Sequence, residues 1–205
     1  MEILTRPYAD TTQTMLDKHN ILELINFERF CRDNALWTEM KKCFHRDSTV
    51  NISWYQGSGE GFVDASSKMN IYAPHKIYNT SIWLNGDKAV AIMCTTIQMV
   101  QKFKGVPIEL ACDSKLIFRV VRENGQWYIW RFESIYEKDK LQTRLPNNQV
   151  HIDPKDLEKY PQSYACMCYL NEVEFGIKTN YNLPGMDRPE TVKKLYEELN
   201  AWLNK

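Results

Sequence analysis

Apolar residues recur at helical spacing from Asp17 to Arg32, where Ile21, Leu24, Ile25, Phe27, Phe30 and Cys31 repeat every three or four positions. A second stretch sets Leu36, Trp37, Met40 and Phe44 on one face, so two helices are expected to meet near Asp33-Asn34. The period then drops to two. Val50, Ile52 and Trp54 alternate with Asn51, Ser53 and Tyr55, which predicts a strand over Thr49 to Tyr55 that breaks at Gly57-Ser58-Gly59-Glu60-Gly61. A short helix is expected over about residues 60 to 72. Long strands follow, over about Ile77 to Leu84, Lys88 to Lys102, Pro107 to Arg122 and Gln126 to Glu137. Turn chemistry separates them at Asn85-Gly86-Asp87, Lys104-Gly105 and Asn124-Gly125, because tight hairpins need residues that accept positive φ. Strands of this length favour a strongly coiled antiparallel meander.

The character changes after Leu141. Leu145-Pro146-Asn147-Asn148 reads as a connector, Asp153-Pro154 as a helix start and Tyr160 to Phe175 as mostly helical. From Arg188-Pro189-Glu190 onward, Val192, Leu195, Tyr196, Leu199, Trp202 and Leu203 form an apolar stripe that should dock on the sheet or on a partner subunit. The expected organisation is a domain over residues 1 to 141 and a mostly helical C-terminal extension over 142 to 205, packed on it.

Composition narrows the partners. A chain of 205 residues with 43% hydrophobic residues and 25 aromatic side chains can bury a sizeable core. Basic and acidic side chains balance at 26 each, so no long-range field attracts nucleic acid or anionic membrane. The N-terminal Met1 to Pro7 lacks the apolar run of a signal peptide, and no stretch approaches the roughly 20 apolar residues of a membrane span; the expected location is cytoplasmic. Cys31, Cys43, Cys94, Cys112, Cys166 and Cys168 read as structural thiols, since the lone Cys-x-Cys pair has no second ligand pair at zinc spacing. No metal or cofactor is expected. His45-Arg46-Asp47 copies a fragment of a kinase catalytic loop without that family's other motifs, and the Gly57 to Gly61 run lacks a phosphate-binding signature.

Helix, helix, strand, short helix and meander is the order of the SnoaL-like, nuclear-transport-factor-2-like superfamily, and local motifs resemble it. Asp33, then Trp37, then the Phe44-His45-Arg46-Asp47 entry to the first strand are similar to its N-terminal pattern. His75-Lys76-Ile77-Tyr78-Asn79 resembles its His-x-x-x-Asn, and Gly86-Asp87-Lys88-Ala89 and Gly125-Gln126-Trp127 its later turns. The resemblance covers about residues 17 to 140; Leu183 to Pro189 in the extension is similar to a bacterial subgroup. It implies an α+β fold, a cone-shaped barrel of helices on a strongly curved antiparallel sheet around a pocket.

In scytalone-dehydratase-like and dehydrochlorinase-like members, an aspartate at the end of the first helix orients a pocket histidine as general base. That arrangement maps onto Asp33 and His75. A carboxylate on one imidazole nitrogen fixes the tautomer and supports the imidazolium that forms when the other nitrogen takes a substrate proton. The usual helpers are missing: the meander holds no second histidine of the kind scytalone-dehydratase-like members add, and Phe27-Glu28-Arg29-Phe30 stands where a bile-acid-dehydratase-like site has a tyrosine before the aspartate. Further substrate-binding candidates are Trp37, Tyr55, Tyr78, Asn79, Trp130 and Asp113, the last from a strand whose Glu109, Asp113 and Lys115 form a polar face.

The function this implies is a cofactor-independent lyase or isomerase acting by dehydratase-like proton abstraction on an apolar cyclic, polyketide-, terpene- or steroid-like molecule. The alternative is a non-catalytic hydrophobic-ligand-binding or oligomerisation module. A homodimer is the expected assembly.

Overall fold

The computed structural model describes residues 2 to 69 and 71 to 205. Met1 of the N-terminal stretch and Asn70 in the expected tail of the short helix lie outside the described residues.

Helix α1 (Thr12–Asp33) begins five residues ahead of Asp17 because Thr11 and Thr14 form a reciprocal capping box. Its inner stripe is Asp17, Ile21, Ile25, Glu28, Arg29 and Cys31. Phe27 and Phe30, read from sequence as part of the apolar face, point outward instead, 45% and 54% exposed, and stack on each other. Helical geometry explains the correction: continuing from Ile21 and Ile25 by three and four residues leads to the charged Glu28 and Arg29. Ala35, with φ of 57°, turns the chain into α2 (Trp37–Lys42).

Strand β1 (Phe44–Ile52) starts earlier than expected, and Ser53-Trp54 is a turn into β2 (Tyr55–Ser58) rather than a continuation. The glycine-rich run is β2 and the start of α3 (Gly59–Lys68), whose N-terminus Ser58 caps through the Gly61 N–H. Gly59 meets Ser48 and Phe44 so closely that a Cβ would lie 2.2 Å from Ser48 Oγ.

The meander is β3 (His75–Asn85), β4 (Lys88–Phe103), β5 (Val106–Glu123) and β6 (Gln126–Thr143). Gly86 takes positive φ in the first turn, and Lys104-Gly105 and Asn124-Gly125 take it at both central residues of the others. The six strands form one sheet in the order β2-β1-β6-β5-β4-β3, antiparallel except where β1 runs parallel to β6. This is a strongly curved α+β cone.

Three apolar clusters organise the molecule. On the inner face, Ile21, Ile25, Phe62 and Val63 from the helices meet Met93, Leu116, Phe118 and Phe132 from the meander. Farther along the same face, Phe103, Ile108, Leu110 and Tyr136 are covered by Tyr160, Tyr164 and α5 (Ala165–Val173), the latter preceded by α4 (Pro154–Leu157) and one 3-10 turn. On the outer face, α6 (Pro189–Leu203) lays Val192, Leu195, Leu199 and Leu203 over Trp83, Val90, Ile92, Ile117 and Ile135. The C-terminal segment therefore covers parts of both faces. Among the described residues no helix is long and apolar enough to cross a membrane.

Candidate active site

Asp33 is the last residue of α1 and His75 the first of β3, and two hydrogen bonds tie them. The His75 ring Nδ1 lies 2.7 Å from Asp33 Oδ1, and the His75 backbone N–H donates to Oδ2 at 2.8 Å. With the carboxylate ionised, Nδ1 carries the proton and Nε2 presents its lone pair. The His75 side chain is only 6% exposed, and it lines a cavity with Arg29, Arg32, Phe132, Ser134, Tyr136, Met99, Met167 and Asn171. α5 thus closes the inner end of the cone, and Tyr136 Oη accepts the Ser53 N–H at 3.1 Å on the adjoining wall.

The cavity is small, about 50 Å³. Ligand pockets for drug-sized molecules run to roughly 300–1,000 Å³, so this space has room for only about two to four waters. Two larger surface grooves adjoin it. One of about 840 Å³ shares Ser53 and Trp54 with the cavity wall, and one of about 230 Å³ shares Arg32, Met69, Ile71 and Ala73.

Sequence reasoning missed Arg29. It is 3% exposed and clasps the fully buried Glu28 through Nε and Nη2, its guanidinium lying over Phe132 at 4.9 Å from the ring centre. The third nitrogen, Nη1, lies 3.3 Å from His75 Nε2. A guanidinium only donates, so Nη1–H points at the imidazole lone pair. The available signal was two adjacent charges on the inner stripe of a helix.

These neighbours set the charge states. Burial of the His75 ring pushes its pKa below 6.5; the Asp33 hydrogen bond and charge pull it up, but the Arg29 and Arg32 cations push it down again, and the net direction is down. Desolvation and two guanidiniums outweigh one carboxylate. Burial raises the Asp33 carboxyl, yet hydrogen bonds from His75 and the Arg29 charge hold it below the usual value. At neutral pH the pair is a carboxylate and a neutral imidazole.

The other six candidates do not line this cavity. Trp37 borders the smaller groove beside Asp33, with the Arg32 guanidinium 5.9 Å from its ring centre. Tyr55 borders the larger groove, donates to Ser58 O and packs on Phe62. Tyr78 is 66% exposed and hydrogen-bonded to Thr96, whose hydroxyl donates to Asp113 at 2.5 Å; all three face a separate groove with Glu109 and Lys138. Asn79 is exposed at the β3 irregularity between Ile77 and Thr80. Trp130 stacks on Trp202 of α6. The polar face of β5 is the outer one, because the alternate residues Leu110, Cys112, Leu116 and Phe118 fill the interior. Among the described residues no group of three or more His, Cys, Asp or Glu side chains is placed to hold a metal ion.

A cone with an aspartate-held histidine at the helix-strand junction defines a class, and the comparisons agree on the fold. The model of the SnoaL-like domain matches residues 13 to 133, more than half of the chain, and the protein belongs to that family. An uncharacterised protein of Emericella nidulans is 25% identical over 207 residues, covering 93% of this chain and 87% of its own length. Pea pathogenicity protein 2 of Fusarium vanettenii is 25% identical over 200 residues, covering 92% and 86%. Both alignments take in most of the C-terminal extension, and both relatives are fungal, whereas the extension had resembled a bacterial subgroup. Among solved structures, a type 2 hexachlorocyclohexane dehydrochlorinase (LinA) superposes with a TM-score of 0.55 at 13% identity over 68% of this chain and 96% of its own.

Proposed function

We propose that the protein is a cofactor-independent lyase or isomerase in which His75 removes a substrate proton and Asp33 holds the ring in the Nδ1–H tautomer. The observation that carries this reading is the 2.7 Å contact between Asp33 and His75, in the wall of a mostly apolar cavity, with the opposite nitrogen facing Arg29 Nη1 at 3.3 Å. A neutral imidazole is the form of histidine that accepts a proton, and the low pKa keeps it in that form. Protonation places an imidazolium beside an ionised carboxylate, so Asp33 stabilises the charge as it develops. The substrate is an apolar cyclic molecule of polyketide, terpene or steroid type. The fold's use by a dehydrochlorinase supports elimination chemistry on such molecules. A substrate of that size enters only when Met167 and the Ser53-Trp54 wall give way, because the closed cavity measures about 50 Å³.

The test is deuterium incorporation or elimination across a panel of cyclic ketones and β-hydroxy ketones. His75→Ala should lower kcat/KM by about 10²–10⁴-fold with the fold intact, the usual contribution of a positioned base, and Asp33→Asn should act in the same direction. Rates unchanged in both variants would end the proposal.

The near-filled cavity favours one further reading, a non-catalytic binding or oligomerisation module. On that reading the occupant is a hydrophobic small molecule or a second copy of the chain. Since α6 already covers the apolar part of the outer sheet face, a homodimer would use the more polar strip around Tyr78 and Asp113. Sedimentation that gives a monomer at all working concentrations would remove this second reading's dimer.

A further inference from the structure

Helix α5 presents two residues of one face to the cavity, Met167 and, one turn on, Asn171. Met167 suits an apolar wall, since its unbranched side chain fills irregular space. Asn171 does not suit it. The residue is only 2% exposed, and among the described residues its side-chain amide has no hydrogen-bond partner; only its backbone carbonyl is engaged, accepting the Ile177 N–H at 2.8 Å. Ser134 of β6, in the same cavity wall, repeats the pattern: it is 2% exposed, and its hydroxyl has no partner among the described residues. A buried amide or hydroxyl left unmatched is unfavourable, and a leucine would fill the space of Asn171 without that cost. The amide is also held in place, because Asp139 of β6 accepts the Met167 N–H at 2.8 Å and so fixes the start of α5 against the sheet. Both polar residues lie beyond the stretch from 13 to 133 that the SnoaL-like model matches.

We propose that Asn171 is the specificity-determining residue of this cavity, and that it selects a neutral ring compound carrying a hydroxyl, with Ser134 as the second contact. An amide supplies both halves of what a hydroxyl needs: Nδ2–H donates to its oxygen, and Oδ1 accepts its proton. Ser134 adds a further donor or acceptor. Neither residue brings a charge, so nothing they contribute offsets the desolvation of an ionised ligand. Ile97, Met99, Leu116 and Phe132 of the same wall take the apolar ring. Selection follows because an analogue without the hydroxyl leaves the buried amide unmatched. This inference deepens the substrate side of the reading above. It rests on this cavity being the ligand site, and it holds equally whether the ligand is turned over or only held.

The probes are phenol and toluene, which share size and shape and differ by a hydroxyl in place of a methyl group. Each is titrated calorimetrically into the wild type and into Met167→Ala, whose shorter side chain gives the ring more room. The expected result is that phenol binds about tenfold or more tightly than toluene, and that the Asn171 side-chain NH₂ signals move in nitrogen-15 NMR when phenol is added. Asn171→Leu should lower the preference for phenol on the order of tenfold. Ser134→Ala, a smaller change at a second position, should lower it by a factor of a few, and thermal melts confirm that both variants fold. Equal affinity for the two compounds, a preference for toluene, or a preference for phenol that survives undiminished in both variants overturns the proposal. Failure of both compounds to bind wild type and Met167→Ala overturns it also. Proton abstraction by His75 is judged by deuterium incorporation in its own variants, so the two proposals fail separately.

Discussion

At the scale of single residues, the site is a contest over one proton. Burial together with Arg29 and Arg32 disfavours the imidazolium, Asp33 favours it, and the balance leaves His75 below its ordinary pKa. This fixes the sign of the pH dependence. The unfolded chain takes up a proton at His75 near pH 6.5, and the folded chain does so only at lower pH, so stability is fully present above about 6.5 and declines as pH falls through the folded value. Asp33, held below the usual carboxylate value by His75 and Arg29, keeps its contribution until far more acidic conditions. Replacing Asp33 by Asn removes the interaction that raises His75 and widens the gap. Urea unfolding free energies should therefore fall by up to about 1.4 kcal/mol per pH unit below about 6.5 until the folded pKa is reached, and that fall should continue to lower pH in Asp33→Asn than in the wild type. Equal pH dependence in the two proteins would deny the coupling.

Elements were the most legible level. The meander follows from three tight turns and period-two patterning, and β3 to β6 lie where those signals place them, although β6 runs on to Thr143. Asp33 and His75 were legible through the family resemblance, since the strand signal itself begins only at Ile77, two residues past His75. Three features were not. Phe27 and Phe30 look like core but share no face with Ile21 and Ile25, so the true stripe, with Glu28 and Arg29 on it, was hidden behind two aromatics. Alternation along β5 separates two faces but does not say which is inside, and that misplaced Asp113. Trp130 was assigned to the pocket because pairing with α6 is nonlocal and leaves no trace in its neighbours. The apolar stripe of α6 was legible, and it predicts a stability effect. Leu199 is fully buried against the outer sheet face, so Leu199→Ala should cost about 2–5 kcal/mol in urea unfolding. The His75 titration should stay unaltered, because α6 and the cavity lie on opposite faces. A cost near zero would mean that α6 does not hold the sheet as described.

For the whole molecule, the C-terminal segment is what completes this cone. α5 contributes Met167 and Asn171 to the cavity wall, so the segment that completes the core also reduces the enclosure to about 50 Å³. Packing and access are thus opposed in one element. The central claim stands upstream of substrate identity: His75, the proposed base, is neutral, held by Asp33 through Nδ1 with Nε2 facing Arg29 Nη1. It is tested most directly by nitrogen-15 NMR of the histidine rings across a pH titration of the wild type and Asp33→Asn. The account predicts the Nδ1–H tautomer of His75 at neutral pH, protonation at Nε2 only below about 6.5, and a further fall with mixed tautomers in Asp33→Asn. A charged ring at neutral pH, an Nε2–H tautomer, or a titration indifferent to Asp33 would contradict it.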